Sequence, residues 1–209
     1  MKSTHLLTPD LLPSATELVA AAFYDNPAHI YLCPDLSTRL TRLQWILGTN
    51  LRIQSISKNS FCYCTGARVD AMGFWTRSGG PQPGLLDLIR EGFAAAPFRL
   101  GLAGSRRLLE VSNAIDGAVE RSVGDEVYWY LHNLVVRDTL RGTGIGGGLL
   151  KEQLDVIARR QPDALIVLAT QREANVRFYG RFGFEIVTEE RVGRGAYAFT
   201  NWTMHARAL

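Results

Sequence analysis

The sequence feature that most constrains this chain is a strand-like run, a glycine-rich loop and a helical pattern in succession, Glu126–Lys151. Val127–Val136 is a nearly unbroken run of aromatic, β-branched and aliphatic residues, which is typical of a strand buried on both faces. The next segment, Gly142–Gly148, contains five glycines in seven positions. An apolar helical period then begins with Leu149 and Leu150. The stretch therefore predicts a central strand, a loop and a helix, in that order.

A glycine-rich loop that leads into a helix is suited to bind an anion. Glycine lets the backbone approach a ligand without a Cβ clash, and it adopts positive φ angles readily. The first N–H groups of a helix have no partner within the helix, and the helix dipole favours negative charge beside them. The loop Arg141–Gly147 therefore predicts a phosphate or pyrophosphate site.

The same glycines also fit the dinucleotide-binding pattern G-x-G-x-x-G, from Gly142 to Gly147. That interpretation needs an acidic residue at the end of the next strand, where it would bind a ribose hydroxyl. The next predicted strand, Leu165–Ala169, continues into Thr170–Arg172, and the first acid is Glu173. The interpretation of the chain as a nicotinamide-dependent reductase is therefore supported by the glycine pattern alone. A P-loop is excluded because no Gly-Lys-Ser/Thr follows at the required place.

A second pattern in the loop, R-x-x-G-x-G at Arg141, Gly144 and Gly146, resembles the GNAT superfamily of acyl-CoA N-acyltransferases. Three further matches follow in the family's order: the strand Leu134–Asp138, an Asn-x-x-x-Tyr helix at Asn175–Tyr179, and the turn Gly183-Phe184. The resemblance covers Tyr128–Ile186. With Asn201–Met204 included, the sequence is most similar to the branch that contains puromycin N-acetyltransferase.

The resemblance implies an α/β (α+β) fold of the GNAT type. Its mixed, mostly antiparallel central sheet would have about six or seven strands flanked by helices. The sheet would splay between its fourth and fifth strands, which contain Leu134 and Leu165. We expect residues 1–209 to form a single N-acetyltransferase domain. A helical insertion is expected at about 85–123, where it would either shape the substrate pocket or pack against the sheet or a partner.

The other elements are predicted from local patterns. Ser14 and Glu17 resemble a capping box at the start of a first helix. Ala28–Pro34 is predicted to be an aromatic-bearing loop, and Leu36–Ser57 a second helix. The remaining predicted elements are the strands Phe61–Thr65, Ala71–Thr76, Leu165–Leu168, Glu185–Glu190 and Ala196–Met204, and the helix Asn175–Phe182.

Composition argues against several classes of partner. Of the 209 residues, 46% are hydrophobic and 21% are charged, which is typical of a globular protein. The net charge is only +3, and the sequence contains no block of like charge, so no nucleic-acid partner is expected. No run approaches the roughly 18 apolar residues of a membrane span, so no membrane partner is expected. Three sparse cysteines suit a reducing compartment, and they do not form a metal-binding pattern. We therefore predict a cytoplasmic protein without a metal, and the resemblance implies a monomer or homodimer.

The resemblance implies acetyl-CoA (coenzyme A) as the co-substrate and assigns residues to it. Backbone groups of the central strand would pair with the pantetheine arm, and the glycine loop would hold the pyrophosphate. The predicted cofactor-binding residues are Leu134, Val135, Val136, Arg141, Gly142, Thr143, Gly144, Ile145, Gly146, Gly147 and Asn175.

Acetyl transfer to an amine also needs a proton donor for the departing thiolate and a proton acceptor for the amine. Tyr179 is the predicted general acid, because the pKa of a phenol, about 10, is close to that of a thiol. The strand position that carries a carboxylate in many family members falls on Tyr130, so this sequence departs from that pattern. His132, two residues on, is the predicted general base, since the pKa of a histidine is near 6.5. Glu126 and water remain alternatives.

The sequence therefore predicts an N-acetyltransferase that moves acetyl from acetyl-CoA to a primary amine by direct attack in a ternary complex. A small-molecule amine is the expected acceptor, but the sequence does not identify it. Candidates for lining its pocket are Tyr24, His29, Tyr31 and Trp45. Arg191 and Arg194 either bind an anionic group of the acceptor or belong to a solvated loop. A non-catalytic acyl-CoA sensor is the alternative, and the presence of both Asn175 and Tyr179 argues against it.

Overall fold

The computed structural model describes residues 4–55, 60–80 and 89–208. These residues contain seven strands: β1 (His5–Leu6), β2 (Ser60–Thr65), β3 (Arg68–Arg77), β4 (Tyr128–Val136), β5 (Leu165–Thr170), β6 (Glu185–Val192) and β7 (Phe199–Arg207). The helices are α1 (Leu12–Ala22), α2 (Pro27–Leu32), α3 (Leu36–Ser55), α4 (Ala96–Val123), α5 (Ile145–Arg160) and α6 (Glu173–Gly180). No helix in this part of the chain is both long and apolar enough to cross a membrane.

All seven strands belong to one sheet, in the order β1-β2-β3-β4-β5-β7-β6. Neighbouring strands are antiparallel except β4 and β5, which are parallel. The parallel pairing joins Tyr128–Leu131 to Leu165–Leu168 and then ends, so the second half of β4 has no strand on its β5 side. The predicted mixed sheet that splays between its fourth and fifth strands is confirmed.

A bulge in β4 coincides with this separation. In the β3–β4 register, Phe74 is opposite Asn133. The next residue of β3, Trp75, is opposite Leu131, so His132 has no partner residue. A bulge bends its strand and increases the local twist. Since the bulge follows directly on the last residue of β4 that pairs with β5, the bend accounts for the divergence of the two strands.

Helices cover both faces of the sheet. On one face, α1 and α3 pack over β2, β3 and β4, and α4 packs over β5 and β7. On the other face lie α5 and α6. The first core includes Leu18, Val19, Leu43, Leu47, Met72 and Val135. The second includes Leu131, Leu150, Ile157, Ile166, Leu168 and Met204. The buried apolar positions of the central strands therefore alternate between two cores.

Two local predictions in the N-terminal part are wrong. Ser14 does not cap α1, which begins two residues earlier, because its hydroxyl accepts a hydrogen bond from the backbone N–H of Val69 at 2.9 Å. The segment predicted as a loop contains α2. Asn26 caps that helix by accepting from the N–H of Ala28 at 3.0 Å, and Pro27 is its first residue. Asparagine followed by proline is a known helix start, so this signal was present in the sequence.

The region between β3 and β4, predicted to be a helical insertion, contains the long helix α4 in its described part. In α4, the helical geometry is interrupted at Gly101, where φ is 72°. Two contacts attach α4 to the sheet: Arg121 donates to both carboxylate oxygens of Glu190 at 2.9 Å, and Ser122 Oγ lies 2.9 Å from His205 Nε2. Residues 85–88, which begin the predicted insertion, lie outside the described residues.

The contact of Ser14 with β3 generates a first prediction. Ser14→Ala should lower the free energy of unfolding by about 1–2 kcal/mol, because it leaves the N–H of the buried Val69 without a partner. Glu17→Gln is the matched control, since a capping box would make both residues important. The Glu17 side chain is 68% exposed and its ion pair with Arg137 is long, at 3.9 Å, so we expect little change. Chemical denaturation measures the free energy of unfolding of both variants. Equal losses of stability in Ser14→Ala and Glu17→Gln would restore the capping-box interpretation.

Candidate functional site

A cleft of about 740 Å³ opens where β4 and β5 separate. Its walls come from the end of α1, the second half of β4, the glycine loop with the start of α5, and α6. The lining includes Tyr179 and every predicted cofactor-binding residue except Thr143. The hydroxyl of Thr143 donates instead to the backbone oxygen of Leu140 at 2.7 Å, which fixes the turn before the loop. The structure therefore brings the predicted residues of four separate elements around one space.

The glycine loop presents the start of α5 to this cleft. Gly144 precedes the helix with φ of 85°, a conformation that favours glycine. The first backbone bond of the helix runs from the N–H of Gly148 to the oxygen of Gly144 at 2.9 Å. The N–H groups of residues 145–147 therefore precede the helical ladder and are available to a ligand. A Cβ at Gly146 would lie 3.0 Å from Val136 Cγ2, so the helix start is packed closely against β4.

Three arginines line the cleft, and they are held differently. Arg141 forms an ion pair with Asp138 at 2.7 Å. The guanidinium of Arg181 lies over the ring of Phe178, 5.5 Å from its centroid. Arg172 forms neither an ion pair nor a hydrogen bond through its side chain to any described residue. Together with the α5 dipole, these charges make the cleft suitable for an anionic ligand.

Tyr179 and Asn175 reach the cleft from α6. Tyr179 is buried against Phe178 and Phe184, with ring centroids 5.1 and 5.6 Å away. Burial raises the pKa of Tyr179 above its usual value, so its hydroxyl stays protonated near neutral pH. The amide of Asn175 donates to Thr170 Oγ1 at 3.0 Å, which ties the start of α6 to the end of β5. A protonated phenol in the cleft can donate a proton to a reacting group.

The structure does not bring the predicted bases into the cleft. His132 is not among the lining residues; its Nε2 lies 2.7 Å from Thr76 Oγ1, and its ring packs beside Phe74 and Tyr130. Burial lowers the pKa of His132 to about 3, so the imidazole is neutral and a weak proton acceptor near pH 7. Glu126, the alternative, forms a two-pronged ion pair with Arg207 outside the lining.

Sequence reasoning missed the residues at the α1–α2 junction that line the cleft, Phe23 and Asn26. Asn26 is only 3% exposed, and its Nδ2 donates to Gln171 Oε1 at 3.2 Å. Gln171 Nε2 in turn donates to Asn201 Oδ1 at 2.8 Å. The junction is therefore tied to the end of β5 and to β7. The Asn-Pro pair at the start of α2 was the available signal for Asn26, but nothing local indicated its distant partners.

His29, a predicted pocket residue, stands directly behind this junction. Its ring stacks on Phe23 with centroids 4.9 Å apart, and its Nδ1 lies 3.1 Å from Asn26 Oδ1. Because that oxygen also accepts from a backbone N–H, the facing His29 Nδ1 must carry the hydrogen. Burial, and then the charge of Arg172, lower the pKa of His29 to about 4. None of the four predicted pocket residues, Tyr24, His29, Tyr31 and Trp45, is among the lining residues.

Comparison with known proteins identifies the family of this site. Residues 105–205 match the family described as acetyltransferase (GNAT) domain. Most of the site therefore lies in a segment that matches a GNAT acetyltransferase domain. The matched segment includes most of α4, β4, the glycine loop, α5, β5, α6, β6 and most of β7. The family supports an acyltransferase activity for the chain.

Solved structures share the fold of this chain over nearly their whole length. Polyamine N-acetyltransferase of Drosophila melanogaster is 13% identical with a TM-score of 0.64, and the match covers 99% of this chain and 100% of that one. Arylalkylamine N-acetyltransferase 2 of Aedes aegypti is 9% identical with a TM-score of 0.66, covering 99% of both chains. A protein of Corynebacterium glutamicum described as "histone acetyltransferase HPA2 and related acetyltransferase" is 18% identical with a TM-score of 0.64. That match covers 99% of this chain and 96% of the other. At these identities the likeness shows the fold alone.

The buried histidines generate a prediction for the pH dependence of stability. The pKa values of His29 and His132 in the folded protein, about 4 and about 3, lie below the unfolded value near 6.5. The unfolded chain then binds more protons below pH 6.5, so stability is full above that pH and is lost as the pH falls towards 4 and 3. His132→Gln should flatten the dependence between pH 6.5 and 4 by up to about 1.4 kcal/mol per pH unit.

Urea unfolding of wild type and His132→Gln at several pH values measures this slope. Glutamine retains a polar group that can bond to Thr76, so the loss of the titrating ring is separated from the loss of the contact. Identical slopes in the two proteins would contradict the buried, neutral state of His132.

Proposed function

We propose that this protein transfers an acetyl group from acetyl-CoA to a primary amine, by direct attack of the amine on the thioester in a ternary complex. One observation carries the proposal: the unpaired side of β4, the start of α5 and the protonated phenol of Tyr179 all border the same cleft. The unpaired side of β4 suits the thioester, the start of α5 suits the pyrophosphate, and Tyr179 can protonate the leaving thiolate. The family match supports the same activity.

The residues of the cleft fit coenzyme A. The β5 side of Leu134–Val136 offers backbone groups without a strand partner, and the amides of the pantetheine arm can pair with them as an added strand would. The N–H groups of residues 145–147 suit the pyrophosphate, with Arg141 and Arg181 adding positive charge. Asn175 would contact the arm from α6. A cleft of about 740 Å³ lies within the usual range for a site of this kind.

The proposed chemistry is one acyl transfer. The amine nitrogen bonds to the acyl carbon, the carbon–sulfur bond breaks, and Tyr179 gives its proton to the thiolate. A backbone N–H of β4 beside the thioester would polarise the carbonyl oxygen. The amine proton leaves to water in the cleft, after which Tyr179 regains a proton from solvent. We assign His132 the role of holding the bulge through Thr76, because it lies outside the lining and is a weak base.

Replacing Tyr179 tests the catalytic step. Tyr179→Phe should lower kcat by about a hundredfold or more, because a general acid contributes a factor of 10² to 10⁴, and should change KM for acetyl-CoA by less than about threefold. Tyr128→Phe is the control, since Tyr128 lies on β4 outside the cleft lining. Thiol release with a reactive amine measures the rates. A kcat within about twofold of wild type would contradict the role of Tyr179 and favour a binding module without a dedicated acid.

The glycine loop generates a separate prediction for acetyl-CoA. Gly144→Ala puts a Cβ on a backbone with positive φ, and Gly146→Ala brings one to 3.0 Å from Val136. Each should raise KM for acetyl-CoA by about tenfold or more, since the anion contact is made by the backbone. Arg141→Ala should have a smaller effect, because this side chain is half exposed and paired with Asp138.

Gly148→Ala is the matched control for the glycine variants. A Cβ at that position meets nothing within 4 Å, and the residue lies in the same helical turn. The KM of Gly148→Ala for acetyl-CoA should therefore remain within about twofold of the wild-type value. Alanine also has a higher helix propensity than glycine at this position. A larger rise in KM for Arg141→Ala than for either Gly144→Ala or Gly146→Ala would show that the side-chain charge, and not the backbone, holds the phosphates.

A further inference from the structure

Positive charge in the cleft is divided between two regions. Arg141 belongs to the glycine loop at the start of α5, and Arg181 follows the end of α6. Arg172 precedes the first residue of α6, at the opposite end of that helix from Arg181, and its charge lowers the pKa of His29 on α2. Arg172 therefore lies near the α1–α2 junction, where Phe23 and Asn26 also border the cleft.

The backbone of Arg172 is fixed, but its guanidinium lacks a partner. Its carbonyl oxygen accepts from the N–H groups of Asn175 and Val176 at 2.9 and 3.2 Å, which anchors the residue between β5 and α6. Within the described ranges, no carboxylate or other acceptor binds its side chain. By contrast, Arg177, one turn further along α6, pairs with Glu173 at 3.4 Å. A half-buried guanidinium that lines a cleft and has no acceptor is a fitting site for an anionic ligand group.

The polar side chains Asn26 and His29 at the α1–α2 junction are uncharged near pH 7. Asn26 has its oxygen occupied by the N–H of Ala28 and by His29, and His29 is neutral near pH 7. Among the described residues that line the cleft there are three arginines and no aspartate or glutamate. A second ammonium group on an acceptor would therefore meet like charge, whereas a carboxylate would meet a guanidinium.

We propose that the acceptor is a primary amine that also carries an anionic group, most simply a carboxylate, and that Arg172 binds this group. The inference rests on the proposed acetyl transfer and narrows its substrate class. The planar guanidinium suits two parallel hydrogen bonds to a carboxylate. Its positive field also disfavours the protonated form of the reacting amine, so more of the bound amine is in the neutral form that can attack the thioester.

Two sets of matched amines test the proposal. The first set is γ-aminobutyrate, butylamine and putrescine, which differ mainly in the group at the far end of a short chain; the second is phenylalanine and phenethylamine. Thiol release with acetyl-CoA gives kcat/KM for each amine in wild type and in Arg172→Gln. Arg177→Gln is the matched control, because Arg177 lies on α6, which Arg172 directly precedes, but is exposed and outside the lining.

We expect wild type to prefer the carboxylate-bearing member of each set, and putrescine to be the poorest substrate of the first. Arg172→Gln should lower kcat/KM for the carboxylate-bearing amines by about tenfold or more, chiefly through their KM, because the variant loses a charge-assisted pair with the carboxylate. The same variant should change kcat/KM for butylamine, and KM for acetyl-CoA, by less than about threefold. Arg177→Gln should match wild type throughout.

Preference for putrescine, or for phenethylamine over phenylalanine, would overturn the inference and leave acetyl transfer standing. A rise in KM for acetyl-CoA in Arg172→Gln without a change in acceptor preference would also overturn it, because the arginine would then bind a phosphate of coenzyme A. Transfer to none of the amines, together with no binding of acetyl-CoA, would contradict the proposed function itself and the inference with it.

Discussion

The site depends on the point where backbone pairing between β4 and β5 ends. The two strands pair over Tyr128–Leu131, and the β4 bulge at His132 follows directly. Beyond it, one side of β4 carries backbone donors and acceptors without a strand to satisfy them. The start of α5 packs against this segment with almost no space at Gly146. An unpaired strand edge and an uncapped helix start therefore border one cleft, and together they suit a ligand that is part amide and part anion.

Positive charge comes to the cleft from different elements. The helix dipole and Arg141 lie together at a loop whose N–H groups can bind an anion. At the α1–α2 junction, the side chains of Asn26 and His29 are neutral and linked to each other, and the nearby charge is that of Arg172. Tyr179 lines the same cleft and stays protonated because it is buried. In the proposed function, the glycine loop binds the phosphates, Arg172 binds the acceptor, and Tyr179 is the proton donor.

Sequence patterns predicted the parts of this site that are local. The buried strand, the glycine loop and the Asn175–Tyr179 helix each have a period or a composition that short-range physics dictates. The partners Asn26, Gln171 and Asn201 were not predicted, since the chain separates them by 145 and 30 positions and only the folded sheet brings them together. His132 was assigned to catalysis from strand alternation, but the bulge and the contact with Thr76 decide its surroundings. Ser14 followed a capping rule that a tertiary hydrogen bond overrode.

The most direct test of this account is isothermal titration of the purified protein with acetyl-CoA, coenzyme A and NADH. The account predicts that acetyl-CoA and coenzyme A bind with one molecule per chain and that NADH does not bind. The same titration of Gly144→Trp, which blocks the loop at a position with φ of 85°, should show no binding of either thioester or thiol. Binding of NADH in place of acetyl-CoA would contradict the account, because the glycine loop would then be a dinucleotide site.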